Sequence, residues 1–288
     1  MREFKLKKGD KVGIISCSDG IKKENKKRVE SVVDILKSMG IEAELSKCIF
    51  REKAEFSGSG SQRAKELMRL FLDKDIKAIF DISGGNSANQ ILSDLDFNII
   101  KNNYKPYFGM SDLTVILNSI YKKTGLKSYH YAIYNFGREN SSLQIDRFEE
   151  SFIQGKKDIF DFTYKWLRKD VIEGEIVGGN IRCFLKLAGT EYFPNLEGKV
   201  LLLEALSGNV SNISSLVEQL SMLNDFNKLS GIILGTFTQI QEEGNINILE
   251  EIILEKTKVF NIPVIKTEEI GHGSDSKCIV IGEKIKII

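Results

Sequence analysis

Three side chains of different chemistry, a hydroxyl, a carboxylate and an imidazole, stand at points of the chain where a fold could expose them. Ser111 lies in the abrupt turn GMSD between a short aromatic strand and a helix, and a serine at such an elbow can act as a nucleophile. Glu204 ends the apolar strand GKVLLLE, and His272 stands between two glycines. The chain order serine, acid, histidine is shared by several unrelated hydrolases. These residue types predict acyl transfer, with His272 as general base and Glu204 orienting its imidazole.

Each of these residues also has a simpler interpretation. Ser111 could only cap the helix that follows it, because the second glycine of a G-x-S-x-G elbow is missing. His272 could be a solvent-exposed loop residue, and Glu204 could mark the exit of its strand into water. The other histidine of the chain, His130, lies in the strand-like run SYHYAIY, where we expect a partly buried, hydrogen-bonded side chain.

The Gly84-Gly85 turn directly follows a predicted strand and has two interpretations. It could cradle a phosphate at a helix N-terminus, or it could supply a backbone N–H to an oxyanion hole beside the amide of Asp112. The sequence contains neither G-x-G-x-x-G nor G-K-[ST], which argues against a dinucleotide or P-loop site. The four cysteines form no C-x-x-C pair, which argues against zinc. We expect neither a metal nor a cofactor.

The elements that would position these groups alternate between apolar strands and amphipathic helices. Strands are expected at residues 11–16, 41–45, 78–82 and 107–108, and helices at 25–39, 61–72 and 113–124. This alternation predicts an α/β fold whose first half is a doubly wound parallel sheet. Ligands of such sheets bind beyond the carboxyl ends of the strands, where both the Gly84-Gly85 turn and Ser111 fall.

The second half of the chain predicts a smaller domain with further strands. These are expected at residues 198–204, 231–234 and 262–265. Residues 278–287 are interpreted as a closing hairpin around Gly282. Charged and aromatic residues between the halves include the sole tryptophan, Trp166, which we interpret as a packing residue at a domain junction. The predicted boundaries are a nucleophile domain at 1–150, a connector at 151–175 and a C-terminal domain at 176–288 that carries the acid and the histidine.

The composition is that of a soluble globular protein, with 288 residues of which 42% are hydrophobic and 28% charged. The net charge of +1 provides no attraction to nucleic acid or to an anionic membrane. No segment resembles a signal peptide, and no apolar run is long enough to span a bilayer. We therefore expect a cytoplasmic protein with reduced thiols and with neither nucleic acid nor a membrane as partner.

Six segments spread nearly from end to end resemble the LD-carboxypeptidase family of serine peptidases, which includes muramoyltetrapeptide carboxypeptidases and the microcin C immunity peptidase. They are GDKVGIIS, RAKELMRLFLDKDIKAIFDISGG, YFGMSDLTVILNSIYKKTG, VGGNIRCFLKLAGTEYFPNLEGKVLLLE, LSGIILGTF and IGHGSDSKCIVIGEKIKI. The family's nucleophile falls on Ser111, its glutamate on Glu204 and its histidine on His272. Its oxyanion hole falls on the amides of Asp112 and Gly85.

The resemblance implies a flavodoxin-like N-terminal domain, a smaller β-rich α/β C-terminal domain, no metal, and often a homodimer. It implies a small peptide substrate and the release of a terminal D-amino acid, usually D-Ala, from murein tetrapeptides in cell-wall recycling. Two alternatives stay open. One is cleavage of a peptidyl- or aminoacyl-nucleotide amide, as in the immunity branch, and the other is a catalytically idle protein that binds a wall peptide.

This chain departs from the family pattern near the residues that would recognise the substrate. Ser83 stands where many members have arginine before the Gly-Gly pair, and Asn86 to Asn89 is closer to the immunity branch. The family's Gly-Arg-Phe is here Gly-Thr-Phe, with Thr236 in place of the arginine. Arg182 could grip a substrate carboxylate or be an ordinary surface cation. The side chain of Asp112 could cap its own helix.

Overall fold

The computed structural model describes residues 4–138, 141–156 and 158–288, and its strands form two six-stranded sheets. The strands are β1 (Lys11–Ile15), β2 (Glu42–Leu45), β3 (Ile76–Asp81), β4 (Tyr107–Gly109), β5 (Ser128–His130), β6 (Lys165–Arg168), β7 (Ile172–Asn180), β8 (Lys199–Ala205), β9 (Gly231–Phe237), β10 (Val264–Lys266), β11 (Ile279–Ile281) and β12 (Lys284–Ile287). The α-helices are α1 (Lys26–Ser38), α2 (Gly60–Leu72), α3 (Phe97–Asn102), α4 (Thr114–Thr124), α5 (Ser142–Phe148), α6 (Ile181–Leu185), α7 (Val210–Ser221), α8 (Thr238–Glu242) and α9 (Ile246–Lys258).

The first sheet has the strand order β11-β5-β4-β3-β1-β2. Strands β1 to β5 are parallel to one another, and only the edge strand β11 runs antiparallel. The order 2-1-3-4-5 is that of flavodoxin-like sheets. The predicted doubly wound parallel sheet is therefore confirmed.

The second sheet has the order β12-β7-β8-β9-β10-β6, with four parallel strands between two antiparallel edge strands. Its edge strand β6 contains Trp166, whose ring packs edge-on against Tyr164 at a centroid distance of 5.9 Å. The tryptophan is only partly buried and packs against the apolar core. Trp166 is a packing residue, as the sequence predicts.

The predicted hairpin at the C-terminus is wrong. Strand β11 joins β5 of the first sheet, whereas β12 joins β7 of the second sheet. Gly282, with φ +81°, turns the chain from one sheet to the other. Two short strands around a glycine form the same local pattern in either arrangement, so only the tertiary contacts distinguish them.

Helix α4, which begins just after Ser111, lies in the core between the two sheets. Nearly all of its residues are buried, as expected for a helix that is enclosed on every side. Its Ile116 and Ile120 belong to one apolar cluster with Ile176 of β7 and Leu202 of β8. The helix that follows the candidate nucleophile is thus packed against both halves of the molecule.

Polar side chains of α4 also fix the end of β7. The carboxamide of Asn118 accepts the N–H of Gly178 at 2.9 Å and donates to its carbonyl at 2.8 Å. The hydroxyl of Thr114 accepts the N–H of Asn180 at 3.0 Å. These groups are buried, so losing one partner would leave a desolvated polar group behind. The junction between the sheets is therefore specified by hydrogen bonds as well as by apolar packing.

Candidate active site

Ser111 stands at a strained elbow between β4 and α4. Its φ of +62° is unfavourable for any residue with a side chain, and Met110 before it is extended. The serine caps neither the 3-10 turn Ser111–Leu113 that it begins nor α4. The structure therefore places Ser111 at the predicted elbow, partly exposed, and does not support a role as a helix cap only.

Glu204 and His272 are in direct contact. Glu204 lies at the end of β8 and is 0% exposed, and its Oε2 is 2.6 Å from Nδ1 of His272. His272 is 8% exposed, so neither residue is the solvent-facing side chain that the simpler interpretations require. Gly271, with φ +142°, is needed before the histidine because a Cβ there would lie 1.9 Å from the hydroxyl of Thr236.

A second imidazole approaches Glu204 from the first sheet. His130, at the end of β5, is 1% exposed, and its Nε2 is 3.8 Å from Oε1 of Glu204. Burial alone would raise the pKa of Glu204, but the imidazoles of His272 and His130 outweigh it and lower that pKa to about 2. The sequence predicts a partly buried, hydrogen-bonded histidine at this position. The structure buries it almost completely, and its Nε2 has no hydrogen-bond partner within the described residues.

Ser111 and the segment after Glu204 line one cavity of about 170 Å³. Its other lining residues are Gly85, Asn86, Asn180, Arg182, Leu206 and Ser207. Within the described residues no hydrogen bond joins Ser111 to His272, and Nε2 of His272 is buried without a partner. The structure thus brings the acid and the histidine together and places the serine at a cavity lined by Leu206 and Ser207, which follow Glu204 in the chain, with the serine–histidine bond unmade.

The Gly84-Gly85 turn lies against the serine. A Cβ on Gly84 would be 3.8 Å from Oγ of Ser111, whereas one on Gly85, where φ is +122°, would lie 2.2 Å from a carboxylate oxygen of Asp19. Asp19 in turn accepts the hydroxyl of Ser87 at 2.7 Å. Glycine is therefore required at position 85, and the loop is held where its amides border the cavity.

Two family models together match most of the chain. The model described as the LD-carboxypeptidase N-terminal domain matches residues 12–131, and the model of the C-terminal domain matches residues 173–287. The chain belongs to the LD-carboxypeptidase family. It is a serine peptidase, and the predicted resemblance is confirmed.

Similar proteins include both branches of this family. The microcin C7 self-immunity protein MccF of Escherichia coli is 28% identical over 97% of this chain and 90% of its own length. A Bacillus subtilis (strain 168) protein named "Probable murein peptide carboxypeptidase" is 25% identical over 97% of this chain and 89% of its own length. The crystal structure of an MccF-like protein from Bacillus anthracis str. Ames superimposes with a TM-score of 0.88, at 28% identity, 99% coverage of this chain and 95% of that one. MccF in complex with glutamyl sulfamoyl guanosine superimposes with a TM-score of 0.84, at 26% identity, over 99% of this chain and 94% of that one.

The carboxylate of Asp112 ties the elbow of this enzyme to its surroundings. It is 0% exposed and accepts the hydroxyl of Ser18 at 2.6 Å and the N–H of Ala88 at 2.8 Å. It also forms an ion pair with Lys186, which donates to the carbonyl of Asn86 at 3.0 Å. The predicted capping of its own helix is wrong, because the carboxylate bonds to other segments instead. Asp112 and Lys186 therefore fix the glycine loop relative to Ser111.

Arg63 is a further structural residue that the sequence analysis missed. It is 0% exposed and donates to the carbonyls of Cys17, Ser18 and Ser87 from the inner face of α2. A signal was available, because Arg63 stands four residues before Leu67 on the apolar face of α2. Together with Asp112, it holds the two loops beside the elbow.

The residues that could recognise the substrate differ in their orientation. Ser83 points inward, because its hydroxyl donates to Asp81 at 2.6 Å and accepts the N–H of Ser18 at 2.9 Å. Arg182, in contrast, is exposed and lines the same cavity as Ser111. Of these two residues, only Arg182 has access to a bound ligand.

A larger cavity of about 880 Å³ lies elsewhere, lined largely by apolar residues such as Phe152, Phe160 and Tyr129. None of the three candidate catalytic side chains lines it, whereas Ser111 lines the smaller cavity. Within residues 4–138, 141–156 and 158–288, no group of three or more His, Cys, Asp and Glu side chains is arranged to hold a metal ion. Across the same residues, no helix has both the length and the apolar character needed to cross a membrane.

Proposed function

We propose that the enzyme hydrolyses a peptide-like amide through an acyl-enzyme, with Ser111, His272 and Glu204 as its catalytic triad. The observation that carries this proposal is the 2.6 Å contact between Glu204 and Nδ1 of His272, beside the cavity that Ser111 lines. Because Nδ1 faces the glutamate, Nε2 is the ring nitrogen left to receive a proton. A buried carboxylate in this position holds the imidazole and stabilises its cationic form.

In this mechanism Oγ of Ser111 attacks the amide carbonyl carbon while Nε2 of His272 takes its proton. The same nitrogen then gives that proton to the leaving amine as the C–N bond breaks, and water hydrolyses the acyl-enzyme by the reverse steps. The N–H groups of Asp112 and Gly85 donate to the oxyanion of each tetrahedral intermediate. Since the serine–histidine bond is unmade in the free enzyme, we propose that it forms when substrate binds, as is common for catalytic hydrogen bonds.

For the substrate we propose a murein tetrapeptide from which the enzyme releases a terminal D-amino acid, in cell-wall recycling. Arg182 at the cavity is a suitable partner for the terminal carboxylate, and a cavity of about 170 Å³ suits a small leaving residue. The murein peptide carboxypeptidase of Bacillus subtilis gives the same indication by its name.

A second candidate substrate is an aminoacyl-nucleotide. It is favoured by the higher identity to MccF than to the Bacillus subtilis relative and by the complex of MccF with glutamyl sulfamoyl guanosine. A catalytically idle binding protein is the third possibility, and the retained Ser111, Glu204 and His272 argue against it. A homodimer and a cytoplasmic location stay predictions from the sequence.

The test is to incubate the enzyme with a murein tetrapeptide ending in D-Ala and, separately, with aspartyl sulfamoyl adenosine, and to follow products by mass spectrometry. We expect D-Ala release, and Ser111→Ala should lower kcat by about 10⁴-fold or more, whereas Ser31→Ala on the exposed side of α1 should change it little. Cleavage of the adenosine compound alone would refute the wall-recycling role. No cleavage of either, or full activity in Ser111→Ala, would refute the acyl-transfer mechanism.

A further inference from the structure

Both histidines of this chain lie against the same carboxylate. One oxygen of Glu204, Oε2, is 2.6 Å from Nδ1 of His272, and the other, Oε1, is 3.8 Å from Nε2 of His130. All three side chains are at most 8% exposed. The proposed triad needs one imidazole, so the second has no role in the mechanism described above.

The facing atoms of His130 and Glu204 are both without other partners. Within the described residues, Nε2 of His130 and Oε1 of Glu204 are buried and make no hydrogen bond at their present separation. Leaving a buried donor and a buried acceptor unpaired is costly, and each is the nearest available partner of the other. A closure of about 0.8 Å would bring them to normal hydrogen-bond distance.

The fold makes room for this approach between the sheets. His130 lies opposite Gly109 of β4 and Ile279 of β11, and its ring reaches toward the end of β7. There Gly179 has φ +133°, and a Cβ on it would lie 3.2 Å from Cδ2 of His130 and 2.6 Å from the hydroxyl of Thr114. A glycine is therefore needed for an imidazole of the first sheet to reach a glutamate of the second.

We propose that His130 is a positioning residue that shares Glu204 with His272. Its Nε2–H holds Oε1, so that Oε2 stays directed at Nδ1 of His272 while that ring takes the proton of Ser111. The inference rests on the proposed function, because it assumes that Glu204 supports a general base. A proton on His130 would place a second cation beside the shared carboxylate and weaken the support that Glu204 gives to His272.

The ionisable group that faces His130 among the described residues is Glu204, with His272 behind it. The neighbours from β4, β7 and β11 are Gly109, Gly179 and Ile279, which do not titrate. Tyr131 and Cys278 are next in the chain to His130 and Ile279, and burial raises the pKa of both well above the ordinary range, so they stay uncharged. Among these neighbours, Glu204 and His272 are therefore the groups whose charge can change next to His130.

Two substitutions separate the hydrogen bond from the charge. His130→Gln places an amide N–H close to the position of Nε2 without a charge, and His130→Leu removes the donor. With the tetrapeptide or the sulfamoyl adenosine, whichever the wild type cleaves, His130→Leu should lower kcat about 10- to 100-fold with KM within about twofold, the usual effect of losing a bond to a buried charge. His130→Gln should restore most of kcat and move the acid limb of kcat/KM to higher pH, because no cation then competes for Glu204. Wild-type kinetics in both variants, or no rescue by glutamine, would overturn the proposal.

Nuclear magnetic resonance gives a readout that needs no activity, because the protein has only two histidines. Glu204→Gln should change the pH titration of both imidazoles, and His130→Gln should change that of His272. An unchanged His130 titration in Glu204→Gln would overturn the inference while leaving the triad intact. Full activity of Glu204→Gln would instead refute the proposed function. If His130→Leu does not fold, the kinetics of His130→Gln and these titrations still decide.

Discussion

The Ser111 elbow and the His272 loop (Gly271–Gly273) carry the two groups of the proposed proton transfer, and they are held in place by different means. Around the elbow, buried bonds of 2.6 to 3.0 Å run from Asp112, Asn118 and Thr114 to three other segments, which contain Ser18, Ala88 and the end of β7. An ion pair between the carboxylate of Asp112, which is 0% exposed, and the partly buried Lys186 joins them. Such a network fixes the strained φ of Ser111, which would otherwise relax.

The His272 loop has one strong contact, with Glu204. The other hydrogen bonds from Gly271–Gly273 to neighbouring segments are long: 3.3 Å from the N–H of His272 to Thr236, 3.4 Å from Arg138 to the carbonyl of His272, and 3.3 Å from Asn135 to that of Gly273. Shorter bonds hold the residues on either side, at 2.8 Å from the N–H of Thr236 to the carbonyl of Ile270 and 2.9 Å from Arg147 to that of Asp275. The longer bonds are weaker than those of the usual 2.9 to 3.0 Å. The loop is therefore the more adjustable of the two regions.

This difference bears on the proposed mechanism, in which the serine–histidine bond forms when substrate binds. The elbow that carries the proposed nucleophile is held by buried bonds, and fixed donors are what electrostatic stabilisation of a transition state requires. The adjustment needed to close the bond then falls on the loop, which has fewer contacts to break.

The largest effect is expected from removing the ion pair between Asp112 and Lys186 at the Ser111 elbow. Lys186→Met leaves the carboxylate of Asp112, 0% exposed, without its cation. We expect a loss of about 3–5 kcal/mol in the free energy of unfolding, as measured for other buried pairs, and a fall in kcat because the glycine loop is released. Urea denaturation measures the first and steady-state kinetics the second. Lys123→Met, which removes the exposed pair with Glu191, is the matched control and should cost less than about 1 kcal/mol.

A stability of Lys186→Met equal to that of Lys123→Met would show that the elbow does not depend on this network. The claim that the elbow is the more rigid of the two regions would then be wrong.

The loss of folding stability at low pH tests the contact between His272 and Glu204. The pKa of Glu204 is lowered from an ordinary 4.5 to about 2, so its ionised form stabilises the fold above the unfolded pKa. That contribution, on the order of 3 kcal/mol, is lost as pH falls from 4.5 toward 2. Glu204→Gln should therefore be less stable than the wild type at neutral pH and lose less stability across this window. Denaturation at several pH values measures both, and parallel curves would contradict the assigned contact.

The sequence predicted those features of the site that are local in the chain. The elbow follows from an aromatic strand, a turn and an apolar helix around Ser111, and Glu204 stands out because a carboxylate ends an apolar strand. The partners of His130 and of the Asp112 carboxylate could not be predicted, because they come from segments 24 to 94 residues away in the chain. The same limit explains the false hairpin around Gly282, since register between sheets is a tertiary property.

A matched pair of threonines gives the smallest and sharpest test of the comparison. Thr114 accepts the N–H of Asn180 at 3.0 Å beside the elbow, and Thr236 accepts that of His272 at 3.3 Å in the loop. Valine keeps the shape of each side chain and removes the acceptor. Because Thr114 is 0% exposed, Thr114→Val should lower the free energy of unfolding by about 1–3 kcal/mol. Thr236→Val should lower it by less than about 1 kcal/mol.

The kinetic effects should have the opposite order: Thr236→Val should reduce kcat more than Thr114→Val does. Thr236 is partly exposed and supports only the loop, so its loss should reduce kcat a few-fold with KM unchanged, since His272 is then held less often in position for the proton transfer. Thr114→Val should keep more of its kcat once folded, because Asn118 still fixes the end of β7. Thermal unfolding and initial rates on the same samples give both quantities. If the two variants lose stability and kcat in the same proportion, then the elbow and the loop are equally rigid. The loop would then not be the part that moves to form the serine–histidine bond.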